Sequence, residues 1–290
     1  MLFVVDGTGP EDPTEYEREM SGSFCRQLQD KCGGTYWRGP TLLGNETIHI
    51  AKKIVEEVVR IRRGPDAGAP IFLAGHSRGG AAVLFAAQDL DDMGIEVEAM
   101  FLYDAVNRTL NNLRFRSSDY IPKNVRFGYH ALRDPSLSFY YSDGLASARD
   151  QLASCMGLPT GKRPSTMEDL IDMAIAGPVK ASHPYARQIN RVKDLTAQDM
   201  KMKVVMRSLT MTTPDGLTLD FGNCATKAEG GCKLVKAYFL GSHGAIGGAP
   251  IVSELAPKLL IESDRAAMAS VSAWMSGHLS RHGLFVRGKG

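Results

Sequence analysis

Residues 71–80 read Ile71-Phe72-Leu73-Ala74-Gly75-His76-Ser77-Arg78-Gly79-Gly80, and an apolar, alanine-rich run from Ala81 to Leu90 follows at once. An apolar segment, a G-x-S-x-G turn and a helix-forming stretch predict a strand, a sharp turn and a helix, with Ser77 at the apex. Glycine is needed at 75 and 79 because the turn is tight and the two backbones crowd each other. Such a turn holds its serine strained, with the hydroxyl exposed above the end of the sheet. With 30 glycines in the 290 residues, the bare pattern arises by chance roughly 0.2 times, so the flanking strand and helix carry the inference.

The segments around that turn repeat its rhythm. Leu2 to Val5 reads as a strand ending in Asp6-Gly7-Thr8-Gly9-Pro10. A helix is expected about Glu15 to Leu28, a short strand at Thr35 to Trp37, and then a helix opened by Asn45 as its N-cap. In that helix Ala51, Ile54, Val55, Val58 and Ile61 share one face, with Lys52, Lys53, Glu56, Glu57 and Arg60 opposite. Beyond the Ser77 helix, Val97 to Tyr103 is a strand ending at Asp104, and Val125 to Leu132 is one ending at Arg133-Asp134-Pro135. Alternating strands and helices predict an α/β fold with a mostly parallel sheet covered on both faces. Its ligand site should lie at the carboxyl ends of the strands, where Ser77, Asp104 and Asp134 fall.

Residues 140–200 break the rhythm. An aromatic run, Phe139-Tyr140-Tyr141, precedes them, and Met167 to Ala176 is a helix-like apolar segment within them. They are read as a cap or insertion between two parts of one core, 1–139 and 201–290. Lys201 to Thr212 and Leu217 to Phe221 read as strands joined by the turn Pro214-Asp215-Gly216. Leu234 to Leu240 is the last apolar strand and runs into Gly241-Ser242-His243-Gly244-Ala245-Ile246-Gly247-Gly248. Helices about Ile251 to Ile261 and Arg265 to His278 complete the expected fold.

Composition narrows the classes. A net charge of +2, 43% hydrophobic and 23% charged residues are those of a soluble globular chain. The absence of a long Lys/Arg block argues against a nucleic-acid partner. The apolar stretches are strand-length, which argues against a membrane-spanning helix. The start at Met1 lacks the basic and apolar regions of a signal peptide. The expected location is therefore cytoplasmic as synthesised, with non-classical export the route out. The five cysteines are Cys25, Cys32, Cys155, Cys224 and Cys232. An odd count and no C-x-x-C argue for free thiols and against a metal site, although Cys224 and Cys232 could pair across a loop. No cofactor is expected.

A serine hydroxyl needs a base within hydrogen-bond reach, and the base needs an orienting carboxylate. His243 follows a strand within a glycine-rich loop and is the best candidate of seven histidines. His76 is next to Ser77, where adjacent side chains point apart, and His130 lies inside a strand. His49 and His183 have no comparable context. His278 and His282 have i, i+4 spacing but lack the Glu of a metal-binding H-E-x-x-H, so a solvated helix end is the expected reading. Asp104 and Asp134 both remain open as the acid, with the turn-starting Asp134-Pro135 slightly favouring a capping role for Asp134. An oxyanion hole needs two backbone N–H groups. The residue after the serine, Arg78, supplies one, and the loop containing Gly7 and Thr8 the other.

Taken together, Val4-Val5-Asp6-Gly7-Thr8-Gly9, Gly75-His76-Ser77-Arg78-Gly79-Gly80, Tyr103-Asp104-Ala105-Val106, Tyr129-His130-Ala131-Leu132 and the Gly241 to Gly248 loop resemble one family. It is the α/β-hydrolase family of uncharacterised proteins that includes type VI secretion phospholipase effectors. The likeness spans about residues 2–248 in matching order. It implies an α/β-hydrolase-like fold, Ser77 as nucleophile, Asp104 as acid and His243 as base. It also implies hydrolysis of acyl esters, with phospholipids as the family's substrate class. Three departures stand out: His76 stands where the family often has an aromatic, Ala245 replaces the Asp of the family's H-S-D-V loop, and Asp134-Pro135 replaces the acidic pair after H-A-L. The expected partner is a lipid or small-molecule ester, with transient membrane-surface contact if it is a lipid. The alternatives are a small-molecule esterase or amidase, and an inactive hydrolase fold used for binding.

Overall fold

The computed structural model describes residues 1–41, 46–107, 117–134, 223–249 and 258–284. The chain divides into two compact units. One comprises Met1–Asp134, Gly222–Pro250 and Asp264–Gly290, and the other Pro135–Phe221 with Ile251–Ser263. The expected cap at 140–200, the strands at 201–212 and 217–221, and the Asn45 cap lie outside the described residues.

The first unit is built on a six-stranded parallel sheet. Its strands are β1 (Leu2–Val5), β2 (Thr35–Trp37), β3 (Phe72–His76), β4 (Val97–Tyr103), β6 (Val125–Arg133) and β8 (Lys233–Phe239), in the order β2-β1-β3-β4-β6-β8. The fold is thus α/β and α/β-hydrolase-like, with helices on both faces. Period-two alternation sends successive side chains to opposite faces. Phe3, Val5, Leu73, Met100 and Leu102 pack beneath α3 (Glu46–Arg62) and α4 (Ser77–Asp92). Leu2, Val4, Phe72, Ala74, Phe101 and Tyr103 pack against α2 (Phe24–Cys32) and α6 (Lys258–Arg281). Strands buried on both faces explain why β1 and β3 read as unbroken apolar runs rather than alternating ones. A two-stranded parallel ladder, β5 (Tyr120–Ile121) with β7 (Lys227–Ala228), lies beside this sheet.

Several expectations need correction. The single helix expected at Glu15 to Leu28 is two, α1 (Pro13–Met20) and α2. Ser23 starts α2 by accepting the Arg26 N–H at 3.0 Å, so the chain turns at Ser21-Gly22 instead of continuing. His243 opens a short helix, α5 (His243–Ile246), capped by Ser242. The expected helix at Arg265 to His278 is part of the longer α6. His278 and His282 are packed rather than solvated. His278 stacks on Tyr129 with centroids 4.1 Å apart, and His282 Nε2 lies 3.0 Å from the Tyr129 hydroxyl. Among the described residues β8 is an outer strand of the sheet, and Val235, Tyr238 and Leu240 are exposed there. Cys25, Cys32, Cys224 and Cys232 are free thiols, so the 224–232 pairing does not form. Among the described residues no helix is long and apolar enough to cross a membrane.

Candidate active site

Strand β3 ends at His76 and α4 begins at Ser77 with no residue between them. Ser77 has φ +54°, the left-handed region that L residues occupy at a cost of about 1–2 kcal/mol. Packing over-determines the turn. A Cβ at Gly75 would lie 2.6 Å from the Gly79 carbonyl oxygen, and one at Gly79 would collide with the Val5 and Asp6 carbonyls. The Val106 N–H donates to the Ser77 carbonyl at 3.0 Å, tying the elbow to the chain after β4.

Asp104 directly follows β4 as the neighbouring strand's counterpart, also left-handed at φ +41°. It is fully buried. Its Oδ2 receives His243 Nδ1 at 2.6 Å, while its Oδ1 accepts Asn223 Nδ2–H at 2.8 Å and the Arg133 N–H at 3.2 Å. Burial alone would raise this carboxyl's pKa. The hydrogen bond and charge of His243, with the charge and N–H of Arg133, more than offset it and hold the group well below the usual carboxylate range. His130 secures the strained backbone from below. Its Nε2 accepts the Ala105 N–H at 3.0 Å and its Nδ1–H donates to the Ala225 carbonyl at 3.2 Å. Burial pushes the His130 pKa down to about 4, so it keeps this neutral tautomer.

His243 completes the line, with Nε2 2.8 Å from Ser77 Oγ. The carboxylate at Nδ1 requires a proton there, so Nε2 is the acceptor facing the serine hydroxyl. The start of the His243 helix is held by a carboxylate in α6. Asp264 accepts the Ser242 N–H and hydroxyl, each at 2.7 Å, and Ser242 Oγ in turn accepts the Ala245 N–H at 3.3 Å. Of the two acids left open by sequence, the structure brings Asp104 to His243. The Asp134 N–H donates to the Phe239 carbonyl at 2.9 Å instead.

The Gly7–Thr8 loop is also fixed from both ends. The Asp6 carboxylate accepts the Gly7 N–H at 2.8 Å, the Tyr36 hydroxyl at 3.0 Å and the Ser23 hydroxyl. Burial pushes the Asp6 pKa up to about 6 against these three donors. The Gly7 N–H is therefore occupied by Asp6, which departs from its expected availability to an oxyanion. The Thr8 N–H has no hydrogen-bond partner among the described residues. Next to it, Arg78 Nε–H donates to Thr8 Oγ1 at 2.7 Å, and Arg78 Nη2–H to the Thr41 carbonyl at 2.7 Å.

His76 packs against the His243 loop. Its Nε2 lies 3.3 Å from the His243 carbonyl, and the two rings are 4.8 Å apart. A Cβ at either Gly7 or Gly247 would strike the His76 ring, so these glycines make room for it. Burial and the neighbouring His243 push its pKa down to about 3.

Sequence reasoning missed Asn223, Arg133 and Asp264 as supports, whereas His130, read as lying inside a strand, does take a structural role. Each of the three missed residues acts on one distant along the chain.

No family model matches the chain, and no curated protein matches it. Among solved structures, it is similar to a four-domain nonribosomal peptide synthetase bound to AMP and glycine, at 12% identity and TM-score 0.33. That match covers 93% of this chain and 19% of the synthetase, so the chain spans about a fifth of its length. A protein described as a hydrolase of the α/β superfamily from Xanthomonas campestris pv. campestris is 16% identical, with TM-score 0.24 over 68% of this chain and 97% of its own. An inhibited esterase B from Lactobacillus rhamnosis is 12% identical, with TM-score 0.23 over 98% and 80%. The strand order and the strand–turn–helix elbow at Ser77 define the architecture.

Proposed function

We propose that this chain is a serine hydrolase that cleaves carboxylic esters through an acyl-enzyme. The observation that carries this reading is the unbroken line from Ser77 Oγ to His243 Nε2 at 2.8 Å and from His243 Nδ1 to Asp104 Oδ2 at 2.6 Å. In this reading Ser77 Oγ attacks the ester carbonyl carbon while its proton passes to His243 Nε2. Asp104 keeps the imidazole oriented and stabilises the imidazolium that forms. The backbone N–H groups of Arg78 and Thr8 receive the developing oxyanion. Collapse of the tetrahedral intermediate breaks the carbon–oxygen bond, and His243 returns the proton to the leaving alcohol. Water then repeats the cycle on the acyl-serine, releasing the carboxylic acid and restoring the hydroxyl of Ser77.

Within this class we propose a lipase- or phospholipase-like enzyme. The support is the ordered set of motifs shared with the phospholipase effectors, together with the aromatic and apolar content of residues 139–200. Fluorophosphonate labelling tests the core of the proposal. The adduct should map to Ser77 and vanish in Ser77→Ala. A folded wild-type protein that takes no label would sink it and shift the weight to a binding role. Phospholipid, triglyceride and short-chain ester panels then separate a lipid enzyme from a small-molecule esterase.

A further inference from the structure

Arg78 stands immediately after the proposed nucleophile, yet its side chain is almost fully buried. It reaches across two loops that are far apart in sequence. Nε–H donates to Thr8 Oγ1, in the loop after β1, and Nη2–H donates to the Thr41 carbonyl, between β2 and α3, each at 2.7 Å. Thr41 is itself anchored, since its hydroxyl donates to Glu46 Oε1 at 2.7 Å at the start of α3. On the other side of the Thr8 peptide, the buried Asp6 carboxylate holds the Gly7 N–H.

The geometry points to Arg78 as a positioning residue that assembles both halves of the oxyanion hole. Its backbone N–H is one donor, and its guanidinium holds Thr8, whose N–H is the other. This inference rests on the serine-hydrolase reading. The physical need is plain. An oxyanion hole acts only if its donors are fixed before charge develops, because reorganising them during the reaction would consume the gain. The loop after β1 contains Gly7 and Gly9, which leave its backbone little intrinsic stiffness. A planar fork that bonds two loops at once supplies that stiffness. A lysine could not, because its ammonium is a single point on a flexible stem. Coupling the donors through one residue also means that a shift of the elbow carries Thr8 with it.

The test uses the full chain, p-nitrophenyl butyrate as substrate and a butyl boronic acid as the tetrahedral-adduct probe, with four single variants and one double. Arg78→Gln and Thr8→Val should each lower kcat by roughly 10- to 100-fold, short of or equal to the loss of one oxyanion donor. KM should stay within about threefold, the pattern of an interaction made only in the transition state. Boronate affinity should fall by the same factor as kcat. Arg78→Lys should behave like Arg78→Gln rather than like wild type, and Thr8→Ser should recover most of what Thr8→Val loses. The double variant Arg78→Gln/Thr8→Val should fall no further than the worse single, because both remove one linkage.

Effects that appear in KM alone, that multiply in the double variant, or that Arg78→Lys rescues would overturn the clamp. If Arg78→Gln does not fold, Thr8→Val decides alone: it removes one hydroxyl from a partly exposed residue, and full turnover in it refutes the inference. Wild type that fails to take fluorophosphonate at Ser77 is a different result. It removes the serine-hydrolase reading itself, and the clamp with it.

Discussion

Replacing Asp104 by Asn probes the proposed triad most sharply, because the surroundings dictate how the new amide must lie. Two donors, Asn223 Nδ2–H and the Arg133 N–H, converge on Oδ1, and among the described residues only His243 bonds Oδ2. An amide NH2 placed at Oδ1 would meet two donors in a buried site, at about 1–3 kcal/mol for each bond lost. The amide oxygen therefore takes the Oδ1 position, and its NH2 faces His243 Nδ1. His243 must then accept at Nδ1 and carry its proton on Nε2, against Ser77. That tautomer cannot take the serine proton. The loss should approach the roughly 10,000-fold typical of a triad left in the wrong tautomer, or about 5 kcal/mol of barrier. Asp134→Asn is the matched control and should stay within about threefold of wild type. The assay is kcat/KM on p-nitrophenyl butyrate alongside the second-order rate of fluorophosphonate labelling, with melting curves to show that both variants fold. An Asp104→Asn enzyme within tenfold of wild type, or an Asp134→Asn enzyme that falls as far, would refute the reasoning.

Three further outcomes are expected. Asp6 holds its proton to about pH 6 when folded against 3.8 when free, so its contribution to stability falls as pH rises through that window. His76 and His130 stay neutral down to about 3 and 4, against 6.5 when free, so theirs is present in full above pH 6.5 and lost on acidification. Between pH 4 and 6 the histidines outweigh the carboxylate by one proton, and stability should fall by about 1 kcal/mol per pH unit on acidification. Urea midpoints across that range check this, and a flat or inverted profile would count against it. His130→Gln should reduce that slope. Ser77→Gly should be more stable than Ser77→Ala by up to about 1 kcal/mol in urea melts, because it relieves the positive φ at the elbow. Equal stability would show that the turn stores no strain. Gly247→Ala should lose about 1–3 kcal/mol and lower turnover, because the added methyl meets the His76 ring beneath the His243 loop. An unchanged melt would show that the ring moves aside freely.

The main architecture was legible in the sequence because its signals are local. An apolar run broken by Gly75 and Gly79 can only be a buried strand meeting a helix at close quarters, and the strand ends at Asp6, Ser77 and Asp104 follow from that periodicity. His243 could be chosen by its place after the last strand. What escaped depends on tertiary partners. The break between α1 and α2 turns on Ser23, whose hydroxyl serves both the helix start and Asp6. The choice between Asp104 and Asp134 turns on which carboxylate the imidazole reaches, a question of strand order rather than of residue type. Asn223 carries no pattern of its own and becomes visible only when the chain returns beside Ala105, bringing its amide to Asp104. His278 in α6 and His282 just beyond it read as solvent-facing from their spacing, but the aromatic face of β6 covers them.

The order of strands also fixes when the site can come into being. Ser77 and Asp104 directly follow β3 and β4, neighbours joined by a single helix, so their pairing needs only nearby chain. The strand leading to His243 must return from much farther, since β6 ends at Arg133 and β8 begins at Lys233. Closing about 100 residues of unfolded chain costs roughly 4 kcal/mol of entropy before a single β6–β8 bond forms. Parallel pairing across such a separation is slow to nucleate. A nascent or partly folded chain would therefore display Ser77 and Asp104 while lacking the imidazole that lies between them in the finished site. On the proposed mechanism, Ser77 would stay dormant until β8 has joined the sheet.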